Sequence, residues 1–312
     1  MNVVVTGASG FLGRNLLAAL PPKWKTVAVY SRSLDFPAFV SRLGNPGIEP
    51  AQCDLTSAES VKQLATVAGA ECDLCVYLAA NGDPPLSTID PATDLRKNAL
   101  ALVNFLALVK AERFLYLSSG AVYDRRIGEI SPSTPVEPVL PYAISKLTAE
   151  RYIQHFSERG TIGRYIIARF FGAFGPHEPN RKIYTRLVET FALKKERSFG
   201  VRGDGNNLID AMYVSDAVDA LLKMASGDKG NVTVDLCSGN AISVNRLVTT
   251  AADVFGVSNV SVEHEGVVPE YIKFWASPDE FSGLFDFKPR VSLADGLRRL
   301  AEHLAQENTR GR

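Results

Sequence analysis

The sequence predicts an α/β protein: a doubly wound parallel sheet with helices on both faces and a smaller C-terminal lobe. Three observations predict it. Short apolar, often β-branched runs alternate with helical periodicity through the first half of the chain; Val3-Val4-Val5 leads directly into the glycine-bearing turn Thr6-Gly7-Ala8-Ser9-Gly10-Phe11-Leu12-Gly13; and the alternation breaks beyond residue 172. Repeated strand-helix-strand units cross over right-handedly, which places helices on both sides of one parallel sheet.

The first strand takes residues 3–5, and the helix after it carries Phe11, Leu12, Leu16 and Leu20 at helical spacing. Pro21-Pro22 stops that helix, and residues 26–30 form the second strand. Residues 48–53 read as a third strand ending at Asp54, 57–68 as a helix and 74–79 as a fourth strand. Pro91 suits a first helical turn, and Leu95, Ala99, Leu102, Val103, Leu106 and Val109 trace one apolar face of a long helix. The fifth strand, 114–117, ends in Ser118-Ser119. Pro132, Pro135, Pro138 and Pro141 exclude a helix or central strand between 123 and 141, which reads as a surface excursion. Helical periodicity returns from 142 to about 159, and 165–169 gives a sixth strand. Beyond 172 come a loop rich in proline and charge at 175–182, a helix near 183–194, the turn Gly203-Asp204-Gly205, a helix near 215–225, a strand at 232–236 and a mixed tail. Residues 1–171 are therefore expected to form the sheet domain, with segments near 208–238 returning to it, and 172–312 mainly the lobe that binds substrate.

Composition excludes several classes of function. The 312 residues carry 34 Lys plus Arg against 34 Asp plus Glu, so no basic footprint points to nucleic acid. No apolar run approaches the length of a membrane span, and Met1 leads straight into a strand; the reading is cytoplasmic. Cys72-Asp-Leu-Cys75 spells C-x-x-C, but Cys75 lies within the apolar run of the fourth strand and reads as a small core residue, as do Cys53 and Cys237. Neither a second C-x-x-C nor a histidine pair offers zinc ligands, so no metal is expected.

The glycine turn carries the first chemical expectation. Glycine allows tight geometry and lets a phosphate approach the amides at a helix N-terminus. Its spacing here is G-x-x-G-x-x-G. In an open parallel sheet the ligand crevice lies beyond the carboxyl ends of the strands, which puts Gly7 to Gly13, Ser31 to Ser33, Asp54, Ala79-Ala80-Asn81 and Ser118-Ser119 on one rim.

Tyr142-Ala-Ile-Ser-Lys146 adds a proton-transfer group. Residues four apart share a helix face and stand about 6 Å apart along the axis. Free tyrosine titrates near pH ~10, so work near neutrality needs a shift of about three units, roughly 4 kcal/mol. An ammonium beside the phenolate has the right sign, an oxidised nicotinamide would add a second positive charge, and Ser119 is placed to hold the reacting oxygen.

On these motifs the chain resembles an extended short-chain dehydrogenase/reductase of the nucleotide-sugar epimerase/dehydratase branch, with a Rossmann-type sheet. The resemblance rests on T-G-A-S-G-F-L-G at 6–13, C-D-L at 53–55, L-A-A at 78–80, Asn98, L-S-S-G-A-V-Y at 117–123, Y-A-I-S-K at 142–146, R-F-F-G-A-F-G-P at 169–176, and G-D-G followed by Y-V-S-D at 213–216. It implies that Gly7, Ser9, Gly10, Phe11, Leu12 and Gly13 hold a pyrophosphate and that Ser31 and Arg32 face the adenosine ribose. Asp54 and Leu55 would flank the adenine. Leu78, Ala79, Ala80, Asn98, Ser118, Tyr142, Lys146 and Phe171 complete the implied cofactor site. Catalysis would rest on Ser119, Tyr142 and Lys146, with Asn81, Ser119, Gly120, Ala121, Tyr142, Gly172, Phe174 and His177 facing substrate. The resemblance also implies a homodimer through the long helix near 90–110 and the Tyr142 helix.

Departures from the family pattern narrow the reading. Ser31-Arg32-Ser33 stands where NAD enzymes carry an acid for the ribose 2′-hydroxyl, which favours NADP over NAD. Gly120 and Ala121 replace the Asp-Glu pair of the 4,6-dehydratases, leaving ketone reduction or epimerisation. Gly172 replaces an asparagine of the substrate turn and Ile209 an arginine that pairs with a nucleotide diphosphate. The expected function is thus reduction or epimerisation of a keto sugar, most simply a nucleotide-linked one. The alternatives are a reductase of a non-nucleotide carbonyl compound and a non-catalytic, cofactor-sensing scaffold.

Overall fold

Seven parallel strands form the central sheet in the computed structural model, which describes residues 1–268 and 272–310. They are β1 (Asn2–Thr6), β2 (Lys25–Tyr30), β3 (Ile48–Gln52), β4 (Glu71–Tyr77), β5 (Lys110–Ser119), β6 (Ile162–Phe170) and β7 (Val232–Leu236). Their spatial order is β3-β2-β1-β4-β5-β6-β7, so the winding reverses between β1 and β4. At that reversal the crossover helices diverge to opposite faces and leave a crevice.

Two apolar layers sandwich the sheet. Along β1, Val3 and Val5 enter one layer with Leu16, Leu17, Leu115 and Leu221. Val4 enters the other with Val29, Tyr77, Phe105 and Phe114. Alternate residues of a strand point to opposite faces, so a strand covered on both sides is apolar at every position. Each such side chain contributes about 1.5–3 kcal/mol when fully buried. Helix Val214–Ser226 packs on helix Phe11–Ala19, and β7 then adds to the edge of the sheet beside β6. The segment beyond 172 thus returns twice to the sheet. No described helix is long and apolar enough to cross a membrane.

Several expectations are refined. The long helix contains a π turn, Arg96–Leu100, between α-helical Pro91–Leu95 and Ala101–Leu106. An unpredicted helix, Phe36–Arg42, fills the β2 to β3 crossover. The 123–141 stretch is not simply a surface excursion. Val122 and Tyr123 are fully buried, and Ile127–Ile130 pairs in parallel with Lys273–Ala276. Its prolines begin only at 132, so the residues before them are free to join a short peripheral ladder. All four cysteines are buried free thiols, and burial pushes Cys72 up to about 12, far from a reactive thiolate.

Candidate active site

The turn after β1 divides its work among three glycines. Gly7 has a φ of +66°, and a Cβ there would stand 2.7 Å from the amide nitrogen of Ala79 on the neighbouring β4 turn. A Cβ at Gly13 would stand 2.5 Å from the carbonyl oxygens of both Gly7 and Ala8, so the helix can lie against the turn only without one. Gly10 is different: only the Gly7 carbonyl, at 3.2 Å, lies within 4 Å of its added Cβ. The first helical hydrogen bond runs from Arg14 N to Gly10 O, at 2.9 Å. The amides of Phe11, Leu12 and Gly13 precede it and have no acceptor within the helix. This open, amide-lined space at a helix N-terminus fits a dinucleotide's pyrophosphate. Thr6 ties the neighbouring turn in place, its Oγ1 accepting from Ala79 N at 3.3 Å.

Tyr142 and Lys146 project from helix Pro141–Glu158, whose apolar face packs on β5 and β6. Tyr142 is 9% exposed and its amide donates to Ser87 Oγ at 3.1 Å. Burial raises the Tyr142 pKa, a hydrogen bond with the Ser119 hydroxyl works against that, and Asp94 adds to the rise. Lys146 is not among the groups that act on the Tyr142 phenol, so the expected lowering by its ammonium is not seen. Lys146 is 2% exposed and its Nζ donates to the Leu117 carbonyl at 2.6 Å while lying 4.4 Å from the centre of the Tyr116 ring. Desolvation brings its pKa down to about 7, against the opposing pull of Glu150 and Asp94.

Behind this pair lies a buried polar network that sequence reasoning missed. Glu150, four residues after Lys146, is 3% exposed, accepts a short hydrogen bond from Ser118 Oγ and pairs with Arg169 at 2.8 Å. Arg169 Nη1 donates to Tyr123 Oη at 2.8 Å, and Tyr123 Oη donates to Asp235 Oδ1 at the same distance. Burial drives the Asp235 pKa up to about 7, and its Oδ2 has no hydrogen-bond partner among the described residues. On the other side, Asp94 is 1% exposed and accepts from Ser145 Oγ at 2.6 Å, from Asn81 Nδ2 at 2.8 Å and from Asn98 Nδ2 at 3.0 Å. The spacing Tyr142, Lys146, Glu150 at i, i+4 and i+8 was a usable signal; Asp94 and Asp235 offered none.

The other expected site residues divide into rim and interior. Ser31 and Arg32 are exposed at the end of β2, and nearby Asp35 is held by Arg14 at 2.7 Å. Asp54 is exposed, its carboxyl lowered chiefly by hydrogen bonds from Thr56, whereas Leu55 is buried in the apolar layer. Leu78 and Ala79 are half-buried and Ala80 is exposed on the β4 turn. Gly120 lies beneath the Phe171 ring, 3.2 Å from an added Cβ, and Ala121 N donates to Ser119 Oγ at 3.1 Å.

Four side chains lie elsewhere than expected. Asn98 is 1% exposed and works through others: its Oδ1 accepts from Asn81 N at 2.7 Å. Ser118 is 4% exposed and committed to Glu150. Phe174 is 1% exposed, stacked on Tyr184 with ring centres 4.3 Å apart, because the short ladder with Met212–Tyr213 turns it into the core. His177 packs against Phe39 and His303, on the side of helix Phe36–Arg42, and not beside Tyr142. Gly172 has a φ of +154° and an added Cβ would stand 3.0 Å from the Asp210 carbonyl, while Ile209 packs on the larger apolar layer.

A glycine turn at the reversal point of a parallel sheet, facing a Tyr-x-x-x-Lys helix and a serine, defines a Rossmann-type extended short-chain dehydrogenase/reductase. A family model described as the NAD dependent epimerase/dehydratase family matches residues 3–235, and the chain belongs to that family. Among its relatives, GDP-6-deoxy-D-mannose reductase of Pseudomonas aeruginosa is 27% identical across 95% of this chain and 94% of its own length. The mouse (Mus musculus) dTDP-D-glucose 4,6-dehydratase is 24% identical across 96% and 87%. The same fold occurs in UDP-glucuronic acid 4-epimerase of Bacillus cereus, solved with UDP-glucuronic acid and NAD: TM-score 0.86, 22% identity, covering 98% of this chain and 100% of that one. It also occurs in RMD of Pseudomonas aeruginosa, solved with NADPH: TM-score 0.80, 24% identity, covering 98% and 99%. The protein thus belongs to a family of NAD-dependent enzymes.

Proposed function

We propose that the protein reduces or epimerises a keto sugar, most simply one carried on a nucleoside diphosphate, and that it prefers NADP to NAD. The observation that carries this reading is Tyr142, whose phenol interacts with the Ser119 hydroxyl, beside a residue pair, Gly120 and Ala121, that holds no acid or base. When bound, the nicotinamide accepts or supplies a hydride. Tyr142 moves the proton at the substrate oxygen, and Ser119 holds that oxygen by a hydrogen bond. Lys146, four residues further along the same helix face, is the cation available to support that proton transfer. Water loss from the sugar needs a further acid and base. A dehydratase among the relatives therefore does not extend that reaction to this chain.

The NADP preference is supported by exposed Arg32 and by the commitment of Asp35 to Arg14, which occupies one acid near the end of β2. Residues 172–312 supply most of the substrate wall in this reading. Exposed Leu95, Leu100, Ile144 and Tyr152 on the two long helices support a homodimer, and four buried free thiols support a reducing, cytoplasmic setting. A second reading, a carbonyl substrate without a nucleotide, is favoured by Gly172 and Ile209, neither of which offers a polar group to a diphosphate.

The test is a screen of UDP-, GDP- and dTDP-sugars and their 4-keto forms with NADH and NADPH, following nicotinamide absorbance and the sugar configuration by NMR. Reduction or an epimer, faster with NADPH, is expected. Turnover only of free carbonyl compounds would favour the second reading, and no turnover of any of them would leave the scaffold role.

A further inference from the structure

His177, His303 and Glu307 lie together at the surface where the loop after Pro176 meets the C-terminal helix Leu293–Arg310, and no step of the reaction above uses them. The loop is pinned to the first helix by Asn15 Nδ2, which donates to the Pro176 carbonyl at 2.8 Å. His177 then adopts a left-handed backbone with φ 68°. His303 and Glu307 are four residues apart and share a helix face.

We propose that these three side chains form a binding site for a divalent transition-metal ion of the zinc type, tying the last helix to the Pro176 loop. All three candidate ligand atoms lie within 4.8 Å of one another. His303 Nε2 and Glu307 Oε1 are 3.3 Å apart. Tetrahedral zinc with bonds of about 2.0–2.2 Å has ligand-to-ligand edges of roughly 3.3–3.6 Å. One edge is thus already at bonding separation, and the other two, within 4.8 Å, close as the ion is bound.

Three further facts fit an ion. His303 Nε2 is buried and makes no hydrogen bond with any described residue, although the carboxylate is close. Phe39 packs edge-on against the His177 ring with centres 5.5 Å apart, giving the donors an apolar flank. The neighbouring cation, Arg14, stands 4.7 Å from the Phe39 ring centre and is neutralised by Asp35. Two imidazoles and one carboxylate select zinc, nickel or copper over magnesium and calcium, which take all-oxygen shells. A fourth position is left for water. The sequence hid this cluster because its members come from distant segments and only His303 and Glu307 have a recognisable spacing.

The experiment uses full-length, tag-free protein stripped with a chelator and titrated with zinc chloride by calorimetry, then with cobalt chloride by visible absorbance. One zinc per chain is expected, together with the intense visible bands of four- or five-coordinate cobalt and a rise in thermal midpoint on adding zinc. His177→Ala and His303→Ala should each weaken zinc binding at least tenfold and remove the midpoint rise, while His264→Ala, at an exposed histidine outside the cluster, should bind as the parent does. Absence of stoichiometric zinc binding, binding unchanged in both variants, or the weak spectrum of six-coordinate aqueous cobalt would overturn the proposal. Both substituted residues are at or near the surface, so folding is confirmed by the unliganded thermal midpoint before titration.

Discussion

The turn after β1 and the helix carrying Tyr142 face the same crevice but are built on opposite principles. The turn works through missing atoms: Gly7 and Gly13 let backbone meet backbone, and Gly10 leaves amides open. The helix works through buried polar atoms, with Tyr142, Lys146 and Glu150 on one face and Asp94 and Arg169 completing their partners. The difference teaches where each can fail. A steric site tolerates changes of charge and not of volume, whereas a buried ionic site tolerates little change of charge even at constant volume.

The comparison can be broken or sharpened by substitution. Tyr142→Phe keeps the volume and removes the proton. Turnover on the substrate found by the screen should fall by about 10²–10⁴-fold with the thermal midpoint nearly unchanged; an unchanged turnover would remove Tyr142 from the mechanism. Glu150→Ala strands the Arg169 guanidinium, which burial disfavours and Glu150 holds in its charged form, with its pKa above the ordinary value. Denaturant unfolding should show a loss of about 3–5 kcal/mol. Gly13→Ala adds only a methyl, yet the strain against two carbonyl oxygens should cost roughly 1–3 kcal/mol and weaken nicotinamide dinucleotide binding, readable by calorimetry.

Two smaller effects test the rim. Arg32→Ala should weaken NADPH about tenfold, near 1.4 kcal/mol, and leave NADH unchanged. Equal effects on both cofactors would place Arg32 elsewhere than at a 2′-phosphate. Glu178, which accepts from Thr185 N and Oγ1 at 3.2 and 2.8 Å, has its pKa raised by burial from 4.5 to about 7. The native state binds its proton more tightly than the unfolded chain, so its contribution to stability is fully present below pH 4.5 and is lost as pH rises toward 7. Glu178→Gln should therefore gain stability relative to the parent between pH 5 and 8. The gain should be on the order of 1 kcal/mol after solvent screening, visible as diverging thermal midpoints.

What the sequence made legible follows the same divide. The strand runs, the glycine spacing and the Tyr-Lys interval are local patterns, and local patterns carry over to the fold. Misplacements arose where a side chain's partner lies far along the chain. Phe174 was expected at the substrate through the family resemblance of the 169–176 turn, and pairing with Met212–Tyr213 turned it inward. Asn98 and Ser118 are polar residues near the crevice, but Asp94 and Glu150 claim them. Lys146 was expected to lower the Tyr142 pKa, yet depth of burial governs both groups, and depth cannot be read from a four-residue interval.

The pairing of β7 with β6 also bears on how such a protein can be divided or inherited. Five residues, Val232 to Leu236, are matched to Ile166 through Phe170, and Asp235 on that strand accepts from Tyr123 after β5. The chain between 172 and 231 is thus an insertion spliced into the sheet, not an appendage to it. A fragment ending at 171 would expose a raw strand edge and deprive Tyr123 of one of its two acceptors, leaving only the Ser131 carbonyl. The family match running through residue 235 includes this last strand. The segment between can vary, but it cannot be cut away from the scaffold that carries both its ends.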